Sequence, residues 1–144
     1  MTILSCVPFK AEHAASLEDL AEGVVAFLTP DAAALVVGGN SWTVLNGDTV
    51  LACFGTLQLW PGRHMGWAGV SESAGPHMTY ITRRARECAR SVVGRVEFQV
   101  REDFENGNRW AKLLGFQIEN PPGILKQYGP EGENHIAYVM FNRG

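Results

Sequence analysis

The segment Gly94–Phe116, GRVEFQVREDFENGNRWAKLLGF, constrains the fold more than any other part of the chain. Arg95-Val96-Glu97-Phe98-Gln99-Val100 alternates polar and apolar residues, the period-two pattern of a half-buried strand. Asp103 is placed to cap a helix after it. Within that helix Trp110, Leu113 and Leu114 stand at i, i+3 and i+4, so they share one face. Gly115 is a C-terminal stop glycine, and Phe116 turns the chain back toward the core. The spacing predicts a strand, a short helix, and a strand beginning at Gln117-Ile118. It also predicts that Trp110, Leu113, Leu114 and Phe116 are buried together.

The rest of the chain supplies the elements this segment needs. Thr2 to Pro8 reads as a first strand. Leu17, Leu20, Val24 and Leu28 recur at helical spacing. Thr29-Pro30 breaks that helix, and Asp31 can cap a short second one. Trp42 to Leu45 and Thr49 to Trp60 are strands joined by Asn46-Gly47-Asp48, a strong hairpin signal. After the Pro61-Gly62-Arg63 turn, His64 to Val70 is a third strand. Ser71 to Met78 reads as a loop. Thr79 to Val93 is an amphipathic helix with Ile81, Ala85, Cys88 and Val92 on one face and Arg83, Arg84, Arg86 and Arg90 on others. Asn120 to Gly123 interrupts the strand after Phe116, and His135 to Phe141 closes the chain.

This order, with Asn106, Asn108, Trp110 and the Leu114-Gly115-Phe116 ending, resembles the GNAT fold, the superfamily of acetyl-coenzyme A-dependent N-acetyltransferases. The resemblance spans nearly all of the 144 residues. It implies one domain, residues 1–144, of the α/β (α+β) class. Its central sheet would be mixed, mostly antiparallel and of six or seven strands, flanked by three or four helices. His64–Val70 and Arg95–Val100 would be a splayed parallel pair, because a crossover helix between two strands makes them parallel. By the same resemblance acetyl-coenzyme A lies in the splay. Gly69, Val70 and Ser71 would meet its pantetheine arm. His77, Met78 and Thr79 would meet its pyrophosphate at a helix N-terminus, whose dipole favours an anion.

Two positions depart from the family pattern. The family's pyrophosphate loop carries glycines that let backbone approach phosphate. In Ser73-Ala74-Gly75-Pro76-His77-Met78-Thr79-Tyr80 the two small positions fall on Met78 and Tyr80, or on Pro76 and Met78, and proline removes a donor. Ser71, Ser73, His77 and Thr79 still offer polar groups there. The family's tyrosine, four residues before the glycine, is Ala111 here, which cannot act as an acid. Tyr128 or Tyr138 is a spatial substitute. Glu72, His64, His77 and Glu97 are the candidates to take a proton from an amine.

The acceptor is a small-molecule or protein amine; nothing in the sequence separates a protein N-terminus, a lysine, a polyamine or an aminoglycoside. The overall pattern, with its altered loop, is also similar to GNAT-like proteins encoded by bacteriophages, some of which act in virion assembly. A catalytically inactive binding or assembly module is therefore the alternative to an enzyme, and a homodimer is compatible with either.

Composition narrows the partners. A net charge of −3 provides no general basic field for nucleic acid. No apolar run approaches the ~18 residues of a membrane span. The N-terminal MTILSCVPFKAEH lacks a secretory layout. Cys6, Cys53 and Cys88 are far apart, so neither a zinc site nor a disulfide framework is indicated. They read as reduced, buried thiols of a cytoplasmic protein. Trp42, Trp60, Trp67 and Trp110 are read as core.

Overall fold

The computed structural model describes residues 2–17 and 30–144, with backbone alone for residues 30–32. The period-two segments form β1 (Leu4–Pro8), β2 (Ser41–Asn46), β3 (Thr49–Trp60), β4 (Arg63–Val70) and β5 (Gly94–Arg101). Two-residue strands β6 (Gln117–Ile118) and β7 (Ile124–Leu125) and the closing β8 (His135–Asn142) complete one sheet of eight strands. Its order is β1-β2-β3-β4-β5-β8-β6, with β7 also paired to β8. All pairs are antiparallel except β4 with β5. The sheet thus has one strand more than the sequence indicates. The addition is β7, whose two residues are too few to show a period.

Among the described residues four α-helices pack on this sheet: α1 (Ala11–Ala15), α2 (Pro30–Val36), α3 (Met78–Arg90) and α4 (Glu105–Leu113). The predicted helical run through Leu20, Val24 and Leu28 lies outside the described residues. Helix α2 begins at Pro30, so Asp31 stands within the helix. Proline at a first helical position lacks only an amide that has no partner there. Helix α3 crosses from β4 to β5 and buries Ile81, Ala85, Cys88 and Ala89, close to the predicted stripe.

The two faces of the sheet carry separate cores. Val44, Phe54, Ala68, Val96, Phe98, Val100, Tyr138 and Met140 meet α3 and α4. Phe9, Ala14, Val50, Cys53 and Trp67 pack with Ala33 and Val36 on the other face. Phe9 meets Trp67 edge-on at 5.1 Å between ring centroids. Cys53 and Cys88 are buried and free, and burial pushes their thiols up to about 11 and about 12, so both stay protonated.

Around Phe116 the fold corrects three expectations. Helix α4 buries Gly107 and Ala111, with Leu114 following at its C-cap, a stripe one position away from the predicted one. Leu113 therefore points outward, 56% exposed, while Leu114 and Phe116 are buried and Trp110 is half-buried. Asp103 does not cap α4; its carboxylate pairs with Arg101 at 3.2 Å, and Phe104 is the N-cap residue. Asn108 satisfies that turn instead, donating to the Arg101 and Phe104 carbonyls at 2.9 and 2.8 Å. Trp60 is likewise exposed rather than core, with the Arg63 guanidinium 4.6 Å above its ring.

Candidate functional site

The β4–β5 pair is parallel over three positions only: Arg63 with Arg95, His64 with Val96, and Met65 with Glu97. Beyond them β4 keeps its outer neighbour as far as Ala52 with Val70. Strand β5 keeps β8 as far as Arg101 with His135. Each strand holds its outer edge while the inner edges part. The result is a V that opens toward Val70 and Arg101, lined by backbone amides and carbonyls with no strand partner. At the apex Gly66 permits a close approach, since a Cβ there would stand 3.2 Å from the Glu97 carbonyl.

The predicted cofactor residues fall at the wide end of this V. Gly69 and Val70 end β4, and the Ser71 amide is already bonded to the Leu51 carbonyl at 2.9 Å. Glu72 to His77, read from sequence as an open loop, forms a 3-10 turn. The turn uses its own amides: Ser73 bonds to the Ser71 hydroxyl, Ala74 to the Ser71 carbonyl, and Met78 to the Gly75 carbonyl. His77 precedes α3, and Met78 and Thr79 open it.

From Met78 and Thr79 a cleft of about 450 Å³ runs between α3 and α4. Thr82, Arg83 and Arg86 line it from α3, and Asn106 and Arg109 from α4. Among the described residues no carboxylate lies within ion-pair distance of Arg83, Arg86 or Arg109. The cleft is therefore cationic. Trp110 forms part of its wall, and the indole N–H donates to the Thr82 hydroxyl at 2.9 Å. Beneath the V, on the same side of the sheet, lies a small apolar cavity of about 30 Å³. That is room for about two water molecules.

The three predicted catalytic residues do not converge. His64 is buried at the closed end of the V, its Nε2 3.1 Å from the Val93 carbonyl. Glu72, exposed, lies in the 3-10 turn after the other end of β4, and the strand from His64 to Val70 alone spans roughly 20 Å at a strand's rise per residue. Tyr128 is exposed, and its ring lies 5.2 Å from that of His135, tilted by 56°. Since His135 faces Arg101, Tyr128 also stands at the wide end, on the side opposite Glu72. Tyr138 is buried in the core, and its hydroxyl donates to Asn108 Oδ1 at 2.7 Å. Ala111 has no exposed surface, so position 111 offers no room for a phenol.

Glu97 is held as an anion by the Arg63 guanidinium and then by that of Arg95, which together keep its carboxyl below the ordinary range. Arg95 also pairs with Glu119. A carboxylate stabilised in this way is a poor base. Its folded value lies below the unfolded one, near 4.3. The pairing therefore stabilises the fold at pH values above the unfolded one. That contribution is lost as pH falls through the folded value. Both arginines keep about a third of their surface in solvent, which moderates the effect. Glu97→Gln is expected to cost about 1–2 kcal/mol at pH 7. Urea midpoints should show that difference shrinking by pH 3; an equal difference at both pH values would contradict the ion-pair account.

Two groups escape sequence reasoning. One is Arg109 with Thr82, which joins Arg83 and Arg86 only once α3 and α4 are packed. The other is Glu133-x-His135: Glu133 Oε1 lies 3.3 Å from His135 Nε2, and the buried His135 Nδ1 has no partner among the described residues. Its only sequence signal is an acid two residues before a histidine at the start of a strand.

No family model matches this sequence, and no curated protein matches it significantly. Solved structures do match. Ard1 from Thermoplasma volcanium superposes with a TM-score of 0.72 at 15% identity, over 98% of this chain and 99% of that one. The ribosomal-protein-S18-alanine N-acetyltransferase from Escherichia coli gives 0.68 at 14% identity, over 99% and 96%. A GNAT-family acetyltransferase from Bacillus anthracis gives 0.63 at 14%, over 98% of each chain. The chain has the fold of these proteins, with the mixed sheet and the parallel pair that the order of its elements implies. No described helix is long and apolar enough to cross a membrane.

Proposed function

We propose that the protein is an N-acyltransferase of the GNAT type that carries an acetyl group from acetyl-coenzyme A to an amine. The observation that carries this reading is the β4–β5 pair that parts after three positions, beside a cationic cleft that reaches the start of α3. The free inner edge of Gly66–Val70 suits the pantetheine amides, as an added strand would. Arg83, Arg86 and Arg109 suit the phosphates of the nucleotide end. In the transfer the amine nitrogen forms a bond to the acetyl carbonyl carbon, the carbon–sulfur bond breaks, and the amine proton ends on the departing sulfur or on a base. Glu72 is the base this reading favours, because it is exposed at the wide end, and Tyr128 is the hydroxyl across from it.

A second reading has its own support. The turn before α3 uses the amides of Ser73, Ala74 and Met78 internally, and Ala111 stands where the family has its acid. A GNAT-fold binding or assembly module without turnover fits those two facts. Coenzyme A thiol release on addition of primary amines separates the two: release above background that falls in Glu72→Gln supports the enzyme, and none with any amine supports the module. The double variant Arg83→Gln/Arg109→Gln is expected to weaken acetyl-coenzyme A binding by roughly ten-fold or more, since each loses a charge-assisted contact. Added salt should weaken the wild type and leave the variant less affected. Unchanged affinity would remove the cleft from the reading.

A further inference from the structure

The outer cleft and the inner cavity have one residue in common, Trp110. On one side its indole borders Thr82, Arg83 and Arg109. On the other it closes a space lined by Gly66, Ala68, Phe98 and Phe116, under the splayed strands. The indole N–H donates to the Thr82 hydroxyl, and near it the Arg86 guanidinium donates to the Leu113 carbonyl at 2.5 Å, so two hydrogen bonds join α3 and α4 along this cleft. Half-buried Trp110 therefore borders both a cationic surface cleft and an apolar interior cavity, and its indole is held by one neutral hydrogen bond.

We propose that Trp110 is the gate that controls passage of a thioester arm from the cleft into the splay, and that Thr82 is its latch. This inference rests on the acyltransferase reading above. The chemistry on the two sides matches the two ends of such a ligand. Guanidinium groups face a polyanionic head, while aromatic and aliphatic side chains face an uncharged acyl end. The cavity is far smaller than an arm needs, so the closed position must give way before the arm enters. Rotation of an indole does so without moving backbone, and among the described residues Thr82 alone accepts its hydrogen bond. The gate would exclude water from the inner cavity until a ligand head is seated on the arginines.

The test separates the head from the arm. Adenosine 3′,5′-bisphosphate carries only the head, and acetyl-coenzyme A carries both. Thr82→Val keeps the side-chain shape and removes the acceptor. It is expected to raise the association rate of acetyl-coenzyme A by roughly two- to ten-fold, the worth of one neutral hydrogen bond. Because Thr82 borders the cleft that takes the head, any change in the bisphosphate rate should be clearly less than that of acetyl-coenzyme A. Equal acetyl-coenzyme A rates in the two proteins, or equal changes for both probes, would overturn the gate.

A readout that needs no cofactor distinguishes failure of the gate from failure of the acyltransferase reading. With 5-fluorotryptophan incorporated, the fluorine resonance of Trp110 is assigned by its absence in Trp110→Phe. Exchange broadening that changes in Thr82→Val is the expected result. A sharp resonance indifferent to Thr82→Val overturns the gate, whatever acetyl-coenzyme A does. If the resonance responds but neither probe binds, the side chain moves with nothing to admit, and both the gate and the acyltransferase reading fall.

Discussion

Phe116→Ala is expected to lower the free energy of unfolding by about 3–5 kcal/mol, the range for deleting a buried phenylalanine. Phe116 is 6% exposed, and its ring lies 5.6 Å from that of Phe98 on β5. It also lines the small cavity beneath the splay, so its removal would enlarge an existing void instead of letting the core close. Gly115, at φ +103, turns the chain so that Phe116 can reach that site. Leu113, three residues earlier and outward-facing, is the control: Leu113→Ala should change stability by no more than about 0.5 kcal/mol. Denaturant midpoints for the two variants decide the matter. A Phe116→Ala midpoint equal to wild type would show that the turn after α4 is not a core element.

Gly94→Ala is expected to cost roughly 3–5 kcal/mol, through two effects acting on one atom. Gly94 sits at φ +107, a conformation that side chains other than glycine rarely adopt. A Cβ there would also stand 2.4 Å from the Gly62 carbonyl oxygen, which is backbone and cannot swing aside. The contact has a purpose in the fold. The Arg95 amide bonds to that same Gly62 carbonyl at 2.8 Å, fixing the start of β5 against the β3–β4 turn. From there the parallel pairing starts and then parts. Gly47 isolates the backbone effect, since it sits at φ +59 and a Cβ added there would meet nothing within 4 Å. Gly47→Ala should therefore cost only about 1–2 kcal/mol. Similar losses for the two variants would mean that the Gly62 contact is not tight.

The architecture was largely legible in the residues, because its signals are local. Period-two runs, the Asn46-Gly47-Asp48 hairpin and the amphipathic Thr79–Val93 stretch each need only neighbours in sequence. The crossover rule then makes β4 and β5 parallel, as they are. The errors came where a tertiary partner overrode a local rule. Asp103 is a good cap residue, yet Arg101 two positions away takes its carboxylate. Leu113 fits a helical stripe, but the close packing at Gly107, where a Cβ would stand 2.4 Å from the Phe104 ring, rotates α4 so that Ala111 faces the sheet. The site was less legible for the same reason. Gly69 to Thr79 could be placed at the end of β4 and the start of α3, but the 3-10 turn joining them depends on Ser71 serving as its own cap. The cationic cleft exists only where two helices from distant parts of the chain meet. His64 was a candidate base because it flanks the strand that borders the splay. Nothing local announced that the Val93 carbonyl would hold its ring at the closed end.

The central claim, that the splay and its cleft hold acetyl-coenzyme A, is tested most directly by calorimetric titration of the full chain with that compound. The account predicts one-to-one binding, weaker than a glycine-rich loop would give because Pro76 and the internally bonded amides of Ser73, Ala74 and Met78 withhold donors from the pyrophosphate. It also predicts that Arg83→Gln/Arg109→Gln loses most of that heat. No heat and no rise in melting temperature at millimolar acetyl-coenzyme A would contradict it.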